Sequence, residues 1–335
     1  MKTYNIGLIG CGMIGDVHAQ AIAECEGAKL VAVADNDLSR AKSFGEKYSA
    51  DGYGDYREML LRDDIDAVAI CTPSGLHAEE ALAAIKAGKN VLLEKPMALS
   101  SKDCESIIEE LNKTDLKLGI VFQSRCSDDV HYLKQQIEEG KLGRITLCDL
   151  YMKFWRDESY FKASPWRGTF AMDGGGALMN QGIHGIDLLI YLCGMPRVLG
   201  AKVKTLVHNI ETEDTATAVL EFPSGALGVI EGATSANPGF DRRIEIHGSR
   251  GSAIVVDGVL NKLIIDGETL VDADVKGLAG TASNPLGMGY ARHLKVYENF
   301  VLSLEENKDP IANARAGYES VSLIEKIYEV SANTK

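Results

Sequence analysis

The sequence predicts an α/β fold: an N-terminal doubly wound parallel sheet, then an α+β domain with a large, mostly antiparallel open sheet. Three observations carry this prediction. From Tyr4 to Phe122, short apolar runs alternate with amphipathic stretches of helical period, the pattern of repeated βαβ units. The first of those runs ends in a glycine-rich turn that opens a helix. Beyond Phe122 the rhythm changes to short strands punctuated by turns such as Pro223-Ser224-Gly225 and Gly248-Ser249-Arg250-Gly251, which favour hairpins. A chain of 335 residues is longer than one typical domain. The change of rhythm puts the boundary at Gln123, giving domains 1–122 and 123–335.

Tyr4-Asn5-Ile6-Gly7-Leu8-Ile9 is apolar and of strand length, as a strand buried on both faces should be. It runs into Gly10-Cys11-Gly12-Met13-Ile14-Gly15, a G-x-G-x-x-G fingerprint with a helical stretch behind it. Gly10 permits the tight turn, Gly12 lets a pyrophosphate approach the backbone, and Gly15 lets the helix pack closely on the strand. The N–H groups from Gly10 to Ile14 and the helix dipole then attract the phosphates. Residues 29–34 form a second buried strand that ends at Asp35, about twenty residues on, where a carboxylate holds an adenosine ribose. Its two oxygens suit both ribose hydroxyls and repel a 2′-phosphate, so NAD is expected over NADP. Arg40, close by, keeps NADP as the alternative.

Helices over 38–48 and 77–87 and strands over 67–70, 90–93 and 117–122 complete a Rossmann sheet, whose ligand lies at the C-terminal ends of its strands. Two of those ends carry chemistry. Thr72, Pro73 and Ser74 follow one strand and are placed to line a dinucleotide, with helix capping as the alternative for Ser74. Glu94-Lys95-Pro96 follows the other, and a lysine on a proline-stiffened turn there sits where a nicotinamide and its substrate would meet. In the second half, 130–139 reads as an amphipathic helix and 145–154 as a strand. A polar, aromatic loop then carries Tyr160, Trp166 and Arg167. Asp173-Gly174-Gly175-Gly176 opens a helix on which Asn180, His184 and Asp187 fall at i, i+4 and i+7, which puts them on one face. Strands over 198–203, 216–222, 228–231 and 243–246 build the second sheet, and 290–306 and 313–331 read as two closing helices.

These motifs, in this order, resemble the glucose-fructose oxidoreductase and inositol dehydrogenase (Gfo/Idh/MocA) family. The residues that carry the resemblance are Gly10 to Gly15, Cys71-Thr72-Pro73 with His77, Glu94-Lys95-Pro96, and Gly174-Gly175-Gly176-Ala177-Leu178 leading to His184 and Asp187. It covers essentially the whole chain. It implies hydride transfer between a nicotinamide cofactor and a sugar or cyclitol hydroxyl, with Lys95 and His184 flanking the reacting carbon. One departure stands out: many members carry Asp in a Leu-x-Asp-x-x-x-His pattern, and here that position is Asn180. Asparagine cannot accept a proton, so the acid–base work falls to Lys95 or His184 and Asn180 is left to orient. The form Asn180-Gln181-Gly182-Ile183-His184 resembles members that oxidise the 3-hydroxyl of nucleotide-linked amino-sugar acids.

The expected catalytic residues are therefore Lys95, His184 and Asn180, with Arg125 and Tyr160 added on the substrate side. The expected cofactor contacts are Gly10, Gly12, Met13, Ile14, Asp35, Thr72, Pro73, Ser74, His77, Glu94, Lys95, Gln123, Trp166 and Arg167. A metal is not expected, because His184 and Asp187 lack a third ligand. A non-catalytic NAD-binding sensor or assembly protein of the same fold is the rival reading.

Composition bounds the partners. The chain is 45% hydrophobic and 25% charged, as a globular protein with a real core should be. A net charge of −13 repels polyanions, so nucleic acid is not expected as a partner. Seven cysteines, an odd number with no Cys-x-x-Cys pair, suit a reducing cytoplasm. The N-terminal apolar run is too short for a signal segment, and no stretch reaches the roughly twenty apolar residues that cross a bilayer. The second sheet should leave one face to bury, which predicts a homodimer or homotetramer through it.

Overall fold

The computed structural model describes residues 2–273 and 289–333. Within them the chain forms two compact units, one of residues 2–123 with 289–318, the other of residues 124–273 with 319–333. The division thus differs from a single cut after residue 122, because a late helical segment belongs to the first unit.

In that unit β1 (Tyr4–Ile9), α1 (Met13–Glu24), β2 (Ala28–Ala34), α2 (Leu38–Tyr48), β3 (Asp51–Tyr53) and α3 (Tyr56–Leu60) come first. They are followed by β4 (Ala67–Ile70), α4 (His77–Lys86), β5 (Asn90–Leu93), α5 (Ser101–Leu111) and β6 (Leu118–Ile120). The six strands run parallel in the order β3-β2-β1-β4-β5-β6. The order reverses between β1 and β4, and that switch point is where an open α/β sheet binds its ligand. All four residues of β4 are 0% exposed, which is why the strand reads as an unbroken apolar run. Asp37, Asp55 and Ser100 cap α2, α3 and α5 through their side chains, whereas α1 starts at Gly12 with no side-chain cap.

The second unit begins with α6 (Asp128–Glu138), β7 (Ile145–Lys153), α7 (Glu158–Lys162) and α8 (Phe170–Asp173). A π-helical turn, Ala177–Gly182, leads into α9 (Ile183–Cys193). There follow β8 (Arg197–Lys204), β9 (Thr215–Glu221), β10 (Leu227–Ala233), β11 (Arg243–Gly248), β12 (Gly251–Val256), β13 (Val259–Ile265) and β14 (Glu268–Asp272). The eight strands order as β14-β13-β12-β11-β7-β10-β9-β8. Every neighbouring pair is antiparallel except β7 with β10. The Gly248 to Gly251 turn joins β11 to β12 as a hairpin, as its residues predict. Burial alternates along these strands: Cys148, Leu150 and Met152 of β7 are buried with Ala218, Leu220, Ile230, Ile244 and Ile246. Leu147, Val219 and Leu227 point the other way and are 44–48% exposed.

The chain closes with α10 (Ala291–Glu306) and α11 (Ala314–Asn333). α10 packs on α1 of the first unit and buries His293, Val296, Tyr297, Phe300 and Val301.

Candidate active site

The nucleotide cradle lies at the C-terminal end of β1. Gly10 has φ +98, a conformation that favours glycine, and a Cβ there would lie 2.8 Å from the Cys71 carbonyl oxygen. A Cβ at Gly15 would lie 2.2 Å from the Gly10 oxygen, whereas one at Gly12 would meet nothing within 4 Å. The space a phosphate needs is open above Gly12, at a helix N-terminus with no side chain to cap it; Met13 is 57% exposed there. These residues fit a dinucleotide. Asp35 directly follows β2, its carboxylate accepting the N–H of Cys11 at 3.0 Å and of Asp37 at 2.9 Å. Arg40 pairs with the same carboxylate at 3.3 Å, so the arginine that a 2′-phosphate would recruit is already engaged.

Beyond β4, the Thr72 hydroxyl donates to Glu80 at 2.5 Å. Neither the short turn Ser74–Leu76 nor α4 carries a side-chain cap, so Ser74 is not the capping residue of the alternative reading. His77 departs from expectation. It is 1% exposed, with Nδ1 2.7 Å from the Pro96 carbonyl and Nε2 3.0 Å from the Thr72 carbonyl. Its ring therefore ties together the loops after β4 and β5 and has no nitrogen left for a cofactor.

The Lys95 turn is held from below. The Lys95 N–H donates to Glu94 Oε2 at 3.0 Å, and Glu94 Oε1 lies 3.1 Å from His18 Nε2 and 3.6 Å from His293 Nε2. His18 Nδ1 lies 2.8 Å from the Tyr297 hydroxyl, and Gln123 Nε2 lies 3.2 Å from His293 Nε2. Glu94 is 6% exposed, so its side chain and that of Gln123 face this cluster instead of a nucleotide. Burial alone would raise the Glu94 carboxyl, but the two histidines beside it outweigh burial and hold it well below the usual carboxylate range. Burial lowers His18. Among the described residues this is the one group of three His and carboxylate atoms within 4.8 Å of one another, and the hydrogen bonds above engage all three side chains.

In the second unit, the π-helical turn is fixed by Glu213, whose buried carboxylate accepts the N–H of Gly176 at 2.9 Å, the N–H of Leu178 at 2.8 Å and the hydroxyl of Tyr328 at 2.9 Å. π turns bond i to i+5 and recur at functional sites. Asn180 lies in this turn, whereas His184 and Asp187 lie in α9. The Asn180 amide donates to Asp173 and accepts from Gln181 at 2.7 Å. His184 is half-buried in the first turn of α9. Gln181 also donates to the Tyr160 hydroxyl at 2.6 Å and accepts from Arg156 at 2.7 Å. Arg167 lies over Tyr160 at 4.3 Å and over Trp166 at 5.6 Å. Tyr160, Trp166, Arg167, Asn180 and Gln181 thus form one polar cluster. The carboxylate missing at position 180 reappears one hydrogen bond away, at Asp173.

Arg125 is not in that cluster. It is 7% exposed, bonded to Asp187 through Nε at 3.0 Å and Nη2 at 2.7 Å, and stacked on Tyr191. This is an internal ion pair, in place of the substrate contact expected of Arg125. Burial pushes the Asp187 carboxyl up, to about 6, despite the guanidinium. Arg125→Ala, which leaves a buried acid without its partner, is expected to cost about 3–5 kcal/mol of stability. Asp187 then has a folded-state pKa raised still further above its unfolded value. The loss should therefore be smallest near pH 4 and grow as pH rises through neutrality; thermal melts across pH measure it, and a pH-independent loss would contradict the assignment.

His18, His293, Tyr297, Arg156, Gln181 and Glu213 were not among the candidates read from the sequence. Gln181 stands within the Asn180 to His184 form, and His18 lies on the buried face of the fingerprint helix; the others have no local signal.

A dinucleotide cradle on a parallel sheet, joined in one chain to a mixed-sheet unit with a polar cluster on a π turn, is the architecture of a two-domain oxidoreductase. Residues 4–122 match the oxidoreductase family, NAD-binding Rossmann fold, and residues 130–254 match the GFO/IDH/MocA C-terminal domain. The chain belongs to the GFO/IDH/MocA family, and it is an NAD-dependent oxidoreductase. It is 31% identical over 318 residues to myo-inositol 2-dehydrogenase of Thermotoga maritima, covering 93% of this chain and 88% of that one. It is 30% identical over 259 residues to scyllo-inositol 2-dehydrogenase (NAD(+)) of Bacillus subtilis, covering 74% and 72%. In fold it is similar to the WlbA dehydrogenase of Bordetella pertussis in complex with NADH and UDP-GlcNAcA, with TM-score 0.86, 28% identity, and coverage of 99% of this chain and 97% of that one. Relatives of this kind favour the catalytic reading over the non-catalytic sensor.

Proposed function

We propose that this protein oxidises a secondary hydroxyl of a sugar, sugar derivative or cyclitol and passes the hydride to NAD. The observation that carries the reading is the Glu94-Lys95-Pro96 turn, fixed at the mouth of the nucleotide cradle in a chain whose relatives are sugar and inositol dehydrogenases. NAD, when bound, supplies the hydride acceptor. His184 takes the hydroxyl proton as it leaves, a task suited to an imidazole with an ordinary pKa of about 6.5. Lys95, as an ammonium, stabilises the developing alkoxide. Asn180, tied to Asp173 and Gln181, orients the substrate. Gly10, Gly12, Met13 and Ile14 hold the pyrophosphate, Asp35 the ribose, and Thr72, Pro73 and Ser74 line the nucleotide. Trp166 and Arg167 are assigned to the nicotinamide and Tyr160 to the substrate. A panel of cyclitols, free hexoses and nucleotide-linked sugar acids, each with NAD, tests this by NADH formation. Formation with none of them, in a protein shown to bind NAD, would contradict it.

A nucleotide-linked amino-sugar acid is the finer reading. The likeness to the WlbA dehydrogenase and the two arginines, Arg156 and Arg167, that both lie over the Tyr160 ring support it. The protein acts in the cytoplasm, an inference from its cysteine pattern, and its partners are its small-molecule substrate and further copies of itself. Leu147, Val219 and Leu227, interspersed with the Lys153–Glu231 ion pair on the outward face of the second sheet, are the surface a second copy would cover. Val219→Lys with Leu227→Lys is expected to give a monomer in light scattering where the parent is a dimer or tetramer. An unchanged assembly would exclude this face.

A further inference from the structure

The chain returns from its second unit to add α10 to the first, and two side chains of that helix, His293 and Tyr297, reach the Glu94 cluster. The hydrogen-bond inventory has a direction. Glu94 as a carboxylate only accepts, so His18 Nε2 must carry a hydrogen toward it. A neutral His18 then has a bare Nδ1, which accepts the Tyr297 hydroxyl hydrogen. Tyr297, His18 and Glu94 thus form a one-way chain of donors, ending on a carboxylate whose other oxygen holds the Lys95 N–H. Every member is buried: His18 is 0%, Tyr297 1%, His293 1% and Glu94 6% exposed. A charge placed there without such partners would be costly, so the cluster exists to keep that one charge in that one place.

We propose that Glu94 is a positioning residue for Lys95, its carboxylate fixing the main chain of the lysine turn through the Lys95 N–H and carrying a negative charge on the residue next to the lysine, with His18, Tyr297 and His293 holding that carboxylate in place. The proposal rests on Lys95 being the ammonium that stabilises the alkoxide. Among the described residues, the groups whose charge or hydrogen bonds act on Glu94 are His18 from α1, Cys71 after β4, His77 from α4, and His293 and Tyr297 from α10, with Gln123 against His293. None of them offers a second carboxylate to replace it.

Glu94→Gln keeps the shape and an oxygen for the Lys95 N–H but removes the charge, and Tyr297→Phe removes only the first donor of the chain. In Glu94→Gln, kcat is expected to fall about ten- to hundredfold, the scale of a misplaced catalytic group, with KM for NAD within about twofold. Loss of the anion makes the Lys95 ammonium easier to deprotonate, so the alkaline limb of the kcat profile should move to lower pH. Tyr297→Phe should move kcat in the same direction by less. The tests are steady-state kinetics across pH on folded, NAD-binding variants, with Lys95→Met alongside. Wild-type kcat and pH profile in Glu94→Gln while Lys95→Met is inactive would overturn the proposal alone. Turnover retained in Lys95→Met would overturn the lysine's role and this proposal with it. A kcat loss with an unmoved alkaline limb would reduce Glu94 to a structural residue and overturn it as well.

Discussion

Lys95→Met is expected to lose about 10²- to 10⁴-fold in kcat, the range for removing a group that acts on the reacting proton or alkoxide, while its affinity for NAD stays within about twofold. Methionine matches the length of the lysine stem and lacks only the charge and the exchangeable protons, so the Glu94 clamp on the Lys95 N–H should survive. The nucleotide cradle, built from Gly10 to Gly15 and Asp35, does not depend on the amine. Fluorescence titration with NADH reads the binding and NADH formation reads the turnover. Equal losses in both would mean that the substitution damaged the first unit, and retained turnover would remove Lys95 from the chemistry.

The second large effect is expected at His184. Replacement by Asn should lower kcat by about 10²-fold or more and flatten the acid limb of its pH profile, because the imidazole is the group whose ordinary pKa lies in that range. The structure places His184 half-buried in the first turn of α9, just after a π turn anchored by Glu213. Its position is therefore set by backbone bonds that the substitution does not touch. An acid limb that survives in His184→Asn would assign the base elsewhere.

Much of this was legible in the sequence because local rules and the fold agree. The short, largely buried apolar runs of β1, β2, β4 and β5 read as strands of a covered parallel sheet, and the glycine spacing before α1 reads as a dinucleotide turn. What the sequence concealed was long-range pairing. Arg125 reads as a substrate contact after a strand, yet its partner Asp187 lies on α9, and nothing local to either reveals an ion pair. Glu94 reads as a residue facing the ligand, and only the return of α10 shows that its carboxylate turns inward to His18 and His293. His77 opens a helix at a ligand-lining loop, and its burial between two carbonyls depends on where Pro96 falls. The π turn hides for a different reason: the i, i+4, i+7 pattern presumes α-helical period, and the carboxylate of Glu213, far along the chain, stabilises the wider turn.

The proposed function assigns the developing alkoxide to Lys95 and the hydroxyl proton to His184. A crystal structure with NADH and a substrate hydroxyl compound tests this most directly. It should show Lys95 Nζ and His184 within hydrogen-bond reach, about 2.6–3.2 Å, of the same hydroxyl oxygen, with its carbon against the nicotinamide. A bound sugar touching neither side chain, or touching only one while the other faces solvent, would contradict it.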